Sequence, residues 1–279
     1  MISASRRLWR TSPLTYIALV LAVLLSLYPL YYLVVIASRS LDSINDVPPP
    51  MTFGGSFGDN FGRVLDNPDA RFLTGLRNSV IVSSVVTVSV VLTGSLAGFA
   101  FAKLRFRGRN ALLLAVIVTM MIPTQLGLIP LWSMMQDLEW YDTLYAVTVP
   151  FLTSAFGVFM MRQYASQAIS DELIEAGRVD GCSTFRIYWN IVLPALRPAA
   201  AVLGLLTFMD TWNQFLWPYA VLYENPTLQV SLSFLSYAYY TDYSMVFAAT
   251  AVGTLPLLLV FVLFGRQIIG GIMEGAVKS

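Results

Sequence analysis

The chain has 279 residues, of which 57% are hydrophobic and only 12% charged, about half the charged share of a soluble domain. That balance marks a membrane protein, and a net charge of +1 gives no basis for binding nucleic acid. With no histidine and one cysteine, Cys182, the sequence excludes histidine metal sites, Ser-His-Asp triads and an intrachain disulfide. There is no GxxxxGK[ST] loop either, so the chain has no P-loop of its own for ATP.

Arg6, Arg7 and Arg10 precede an apolar run at residues 14–37. Val35-Ile36-Ala37 could pass as a signal-peptide cleavage site. The run is about twice as long as a signal-peptide core and can span, so an uncleaved first transmembrane helix is expected. Residues 38–71 are polar, with Pro48-Pro49-Pro50 and Gly54-Gly55, and read as an external loop with a short helix near 61–65. A second span follows at 73–102. In it Gly94 and Gly98, extended by Ala102, make a GxxxG pattern that is either a packing face or ordinary membrane-helix glycine.

Four cations at 103–109 mark the cytosolic side. The third span, 111–135, is interrupted by Pro123 and Pro130 with Gln125 between them. Broken helices line pathways in transporters, and a proline kink without function is the other reading. Residues 136–143 hold three acids and no base, which places them outside. The fourth span is 144–161, the fifth 199–222 with Asp210 inside it, and the sixth 244–265 with Pro256 near its middle. Between the last two lies an external segment, 223–243, with tyrosines at 223, 237, 239, 240 and 243. These suit either a protein interface or a membrane-interface belt. In this arrangement only Arg39, Arg63, Arg71 and Arg77, of 17 Lys and Arg, fall outside. The positive-inside rule therefore gives an all-α integral membrane protein with six transmembrane helices and both termini in the cytosol.

The polar stretch 171–194, DELIEAGRVDGCSTFRIYWNIVLP, is left in the cytosol with four acids and two arginines. Ser170 is the expected N-cap, and Asp171 and Glu172 suit the positive end of the helix dipole. Leu173, Ala176 and Gly177 share one narrow, small-sided helical face. Gly181 supplies a C-terminal cap or a tight turn. Ser183 caps a second short helix through Phe185, Tyr188, Trp189 and Val192, and Pro194 and Pro198 punctuate its end. The stretch reads as helix, turn, helix, presented to a partner.

Glu175-Ala176-Gly177, then Gly181, then Ile191-Val192-Leu193-Pro194 resembles the EAA docking loop of ABC importer permeases. That family usually has alanine where Gly177 stands, and glycine adds helix-breaking tendency. Thr211-Trp212-Asn213-Gln214-Phe215-Leu216-Trp217-Pro218 and Gly275-Ala276-Val277-Lys278 resemble the second permease subunit of binding-protein-dependent sugar importers, the MalG type, from about residue 72 onward.

The resemblance implies a type I ABC importer permease fold with a MetI-like core in helices two to six. Residues 1–71 would hold the first helix and external loop, 72–266 the transmembrane domain with its docking loop at 165–194, and 267–279 a cytosolic tail. Glu172, Glu175, Ala176, Gly177, Asp180, Gly181, Phe185, Ile191, Leu193 and Pro194 would dock a separate ATPase. Gly275, Ala276, Val277 and Lys278 would be a second ATPase contact, a frayed terminus being the other reading. Implied partners are a second permease subunit, an ATPase dimer carrying ATP and Mg, an extracytoplasmic sugar-binding protein and membrane lipid, in a prokaryotic cytoplasmic membrane. The chain itself would hold no cofactor and catalyse nothing.

Asp210, Asn213, Gln214 and Trp217 fall at i, i+3, i+4 and i+7, one face of a helix. A carboxylate, two amides and a flat ring suit a sugar pathway, with Gln125 as a further member. Asp210 lines that pathway or pairs with a cation of the second permease, since an acid in the membrane should face a cavity or a partner. Two other function classes are weighed. An intramembrane enzyme using Asp210 needs a second catalytic group at membrane depth, and no other acid lies in a span. A proton-coupled carrier using Asp210 needs no ATPase stub. Within the importer class, a non-sugar solute such as a glycerol phosphate stays open.

Overall fold

The structure, a computed structural model, describes residues 12–236 and 241–276, with side chains described as far as Gly265 in the last helix. The chain divides into two compact units: the described residues of Met1–Ala70 with Phe234–Val252, and those of Arg71–Ser233 with Gly253–Ser279.

The first unit opens with α1 (Pro13–Ala37), capped by the Ser12 hydroxyl, which accepts from the Thr15 N–H. Its leucines, valines and tyrosines from Leu14 to Leu30 are exposed, as a helix wrapped in lipid requires. Only Val35, Ile36 and Ala37 are buried. Two short helices follow, α2 (Leu41–Ile44) and α3 (Phe57–Leu65), the second of them longer than the sequence pattern suggests. Asn60 on α3 donates to the carbonyls of Ala37 and Arg39, both at 2.8 Å, which fastens the loop to the end of α1. Arg63 pairs with Asp242 and donates to Ser244 at 2.9 Å.

The second unit is built on α4 (Phe72–Lys103), whose 32 residues extend about 48 Å, well over the membrane core. Gly75, Asn78, Ser79, Val82, Val86, Val90, Gly94, Ser95 and Gly98 are buried along it at helical spacing. There follow α5 (Arg109–Thr119), a 3-10 turn (Thr124–Gly127), α6 (Leu128–Asp137), α7 (Leu144–Thr148), a 3-10 turn (Val149–Phe151) and α8 (Ala155–Ala168). The GxxxG pattern is a packing face. A methyl on Gly94 would lie 3.2 Å from the Gly157 carbonyl on α8, and one on Gly98 would lie 2.7 Å from the Arg162 nitrogen. The small residues let two backbones approach, and Leu203 fills the space beside Gly94 and Gly157.

The loop helices are α9 (Asp171–Val179), α10 (Thr184–Ile187), a π-helical turn (Tyr188–Val192) and α11 (Leu193–Ala195). Then come α12 (Arg197–Asn213), α13 (Leu216–Val221), α14 (Leu228–Phe234) and α15 (Tyr243–Ala276), the last of which runs from the first unit into the second.

Four helical stretches are long and apolar enough to cross a membrane, Pro13–Ala37, Phe72–Lys103, Leu144–Ala168 and Tyr243–Gly265. Two bent pairs bring the number to six if each is one span. The expected third span bends by 88° between Arg109–Thr119 and Thr124–Asp137. Pro123 sits in that break, whereas Pro130 falls in the first turn of α6, where no N–H bond is required. The expected fifth span is divided too. Its helix ends at Asn213, Gln214 is extended, and α13 begins at Leu216.

At the C-terminal end α15 continues helically through Gly270, Gly271 and Gly275 to Ala276. Three glycines cost about 1 kcal/mol each relative to alanine, and the helix they extend is already nucleated over many turns. Val277 and Lys278 lie outside the described residues, as do Tyr237, Tyr239, Tyr240, Arg6, Arg7 and Arg10.

Candidate functional site

The docking stretch folds as two helical segments around one glycine. Ser170 stands at the N-cap of α9 without bonding a backbone N–H. The Glu172 carboxyl is held low by its own backbone N–H and by the Ser170 hydroxyl, which donates to it. Lys103, the last residue of α4, sits 2.8 Å from Asp171 and holds that carboxyl below its ordinary value by hydrogen bond and charge. The sequence reading passed over this link, because nothing in a linear pattern pairs residues 103 and 171.

At the far end Gly181 takes φ 76, where only glycine is unstrained. Its N–H reaches the Arg178 carbonyl at 3.0 Å and the Cys182 N–H reaches that of Gly177 at 2.9 Å. These are the two bonds of a Schellman cap. Ser183 then caps α10 through the Arg186 N–H, as the sequence implied.

The inner face of α9 differs from the expected one. Ile174 and Gly177 are buried, whereas Leu173 and Ala176 face water. A methyl on Gly177 would lie 3.2 Å from Ile187 and 3.3 Å from Ile191, so the small residue admits the second helix. Tyr188 anchors that helix. Its ring packs on Phe99, with centroids 6.0 Å apart, and its hydroxyl lies 2.7 Å from that of Ser95, both on α4. What remains outside is apolar. Val179 is 87% exposed, Phe185 67% and Trp189 55%, with the two rings stacked at 6.3 Å. Glu172, Glu175, Asp180 and Gly181 are exposed around them, and Ile191, Leu193 and Pro194 are half-buried beneath. The loop thus leaves apolar, aromatic side chains in the open together with exposed carboxylates, which is unusual for a polar surface segment.

The polar groups of the expected pathway do not share one helical face. Asp210 and Asn213 are exposed in the last turn of α12, and the Asn213 amide donates to the Met209 carbonyl at 2.8 Å. Gln214 is half-buried in extended backbone. Beyond the break Trp217 is 2% exposed, and its indole N–H donates to the Ala146 carbonyl at 3.0 Å. It is a core residue of α13, so it offers no ring to a solute. Gln125 is exposed in the break between α5 and α6. Among the described residues no group of three His, Cys, Asp or Glu side chains could hold a metal ion.

A family model described as the binding-protein-dependent transport system inner membrane component matches residues 91–269. The chain belongs to that family. As an inner membrane component of this kind, it is 34% identical to the lactose transport system permease protein LacG of Rhizobium radiobacter, over 94% of this chain and 95% of the relative. It is also 34% identical to the arabinooligosaccharides transport system permease protein AraQ of Halalkalibacterium halodurans, over 79% of each. The sn-glycerol-3-phosphate transport system permease protein UgpE of Yersinia enterocolitica is 28% identical over 93% of this chain and 95% of its own length. Among solved structures, a bacterial ABC transporter involved in the import of the acidic polysaccharide alginate matches with a TM-score of 0.76 and 25% identity. That match covers 96% of this chain and 99% of the matched one. This inner membrane component is thus an importer permease with its ATPase on another chain, and its exposed loop patch lies in the segment that the family model covers.

Proposed function

We propose that the chain is the permease subunit of an ATP-binding-cassette importer for a sugar or oligosaccharide. The observation that carries the docking half of this reading is the α9–α10 loop. It exposes Val179, Phe185 and Trp189 while it is fixed to α4 through Lys103, Ser95 and Phe99. An ATPase gripping that patch would move α4 directly. Closure of the ATPase dimer on ATP and Mg then drives alternating access, with the chain as lever and pathway wall and no catalytic residue of its own. The saccharide half is supported by LacG and AraQ, each similar over more than two thirds of both chains.

In this reading Asp210, Asn213, Gln214 and Gln125 border the pathway between this chain and a second permease subunit. Gly275, Ala276, Val277 and Lys278 add a contact to the ATPase. The external segment 223–243 meets an extracytoplasmic sugar-binding protein.

The test is uptake by proteoliposomes holding the chain with its co-expressed permease, ATPase and binding protein. Labelled oligosaccharides should accumulate only with ATP inside. The similarity to UgpE makes glycerol 3-phosphate the competitor to include, and its uptake in place of saccharide would overturn the saccharide assignment. Uptake driven by a proton gradient without ATP would overturn the importer reading.

A further inference from the structure

One carboxylate joins the segment 136–143 to the turn after α13. Asp142 takes left-handed backbone at φ 54, which aspartate tolerates better than most residues. Its Oδ1 accepts from the backbone N–H of Tyr223 at 2.8 Å, Glu224 at 3.0 Å and Asn225 at 3.1 Å. Its Oδ2 accepts again from Glu224 at 3.2 Å. The Asp142 N–H donates to the Val221 carbonyl at 2.8 Å, and the Asn225 amide donates to the Asp142 carbonyl at 3.0 Å. The side chains of Arg71, just before α4, and Asn78, within it, hold the other side of the turn. Arg71 donates to the Glu224 carbonyl at 2.7 Å, and Asn78 donates to those of Asn225 and Pro226 at 3.2 and 3.0 Å.

A surface turn ordinarily keeps much of its freedom. Here the backbone of residues 223–225 is bonded on both sides, while the Tyr223 side chain stands 68% exposed and that of Glu224 faces water beside Arg71. Three consecutive N–H groups converging on one ionised carboxylate form charge-assisted bonds, stronger than neutral ones. Such an arrangement orders a contact surface before any partner arrives, and the partner then does not bear the cost of ordering it.

We propose that Asp142 is a positioning residue that presents Tyr223 and Glu224 as a preformed contact edge for an external solute-binding protein. This rests on the importer reading above. The family is binding-protein-dependent by description, and the charge pattern puts both joined segments on the outer side. A tyrosine ring beside an acid–base pair suits a protein contact that forms and releases in each cycle.

The experiment uses the complete transporter in nanodiscs, with ATPase activity titrated against its binding protein. Asp142→Ala should raise the binding-protein concentration for half-maximal stimulation by about tenfold, with maximal rate and subunit composition unchanged. Asp142→Asn keeps one acceptor oxygen and should recover part of that loss. A photo-crosslinking residue in place of Tyr223 should capture the binding protein. Capture together with unchanged half-saturation in Asp142→Ala would overturn the positioning role while leaving the importer reading intact. Normal stimulation without capture would overturn the contact edge. A lower maximal rate at unchanged half-saturation would reduce Asp142 to a part of the fold and overturn the proposal. A complete wild-type assembly that no binding protein stimulates would overturn the importer reading along with it.

Discussion

Lys103 Nζ lies 2.8 Å from Asp171 Oδ1, so the C-terminal end of α4 is tied to the first turn of α9. Lys103 is nearly enclosed and Asp171 mostly in water. A folded-state pKa depressed by Lys103 means that the link is complete above the ordinary carboxyl value of 3.8 and lost as pH falls through the lowered one. Spin labels on α4 and α9 should therefore keep one separation from neutral pH down to about pH 4 and part below it. Asp171→Asn should show the wider separation already at neutral pH. A separation that drifts between about pH 5 and 7 would take this carboxylate out of the account.

Two buried helical glycines should respond unequally to alanine. At Gly98 the added methyl meets backbone, 2.7 Å from the Arg162 nitrogen and 2.8 Å from the Met161 carbonyl carbon. Gly98→Ala should cost about 1–3 kcal/mol through separation of α4 from α8. At Gly177 the methyl meets side chains only, Cγ1 of Ile187 at 3.2 Å and the Cδ1 end of Ile191 at 3.3 Å, which need to give by only a few tenths of an ångström. Alanine also gains up to about 1 kcal/mol of helix propensity, so Gly177→Ala should stay within about 1 kcal/mol of neutral. Thermal unfolding of both variants in one lipid or detergent checks the order, and a larger loss at Gly177 would contradict it.

Trp217 and Asp210 separate stability from transport. Trp217→Phe keeps most of the apolar body but leaves the Ala146 carbonyl without its donor, at a cost of about 1–3 kcal/mol. Melting temperature should fall while solute preference stays as it was. Asp210→Asn keeps shape and removes charge at an exposed helix end. It should leave assembly intact and change uptake rate or selectivity. Lost association with the second permease would instead make Asp210 an interface residue.

The exposed rings of the loop should carry much of the ATPase affinity. Phe185→Ala and Trp189→Ala should each weaken association by about 1 kcal/mol or more, roughly fivefold, without loss of membrane insertion. Glu175→Lys should lower solute-stimulated ATP hydrolysis in the same assay. Co-purification of the ATPase is the measurement, and full recovery with both rings removed would refute the patch.

Local chemistry was legible in the sequence and distant pairing was not. The Gly181 cap, the Ser183 cap and the GxxxG face each depend on residues a few positions apart, and all three are present. The four-residue face of Asp210, Asn213, Gln214 and Trp217 failed because periodicity assumes an unbroken helix. At Gln214 tertiary bonds win instead, since the indole bond to Ala146 and the Asp142 carboxylate hold α13 and the turn after it to the segment around α7. Asp142 itself looked like one more acid in an acidic loop. Only its neighbours in space distinguish it, although an aspartate between Tyr141 and Thr143 is a fair turn former.

The π-helical turn at Tyr188–Val192 makes the docking loop unequal in its tolerance of length change. A π turn holds one residue more than an α turn, so losing one residue there can restore regular winding and leave both flanks facing as before. The same loss within α9 would rotate everything beyond it by about 100° and turn Gly177 away from Ile187. Single-residue deletions that persist among working variants of this loop should accordingly collect between Tyr188 and Val192, where the winding holds a spare residue.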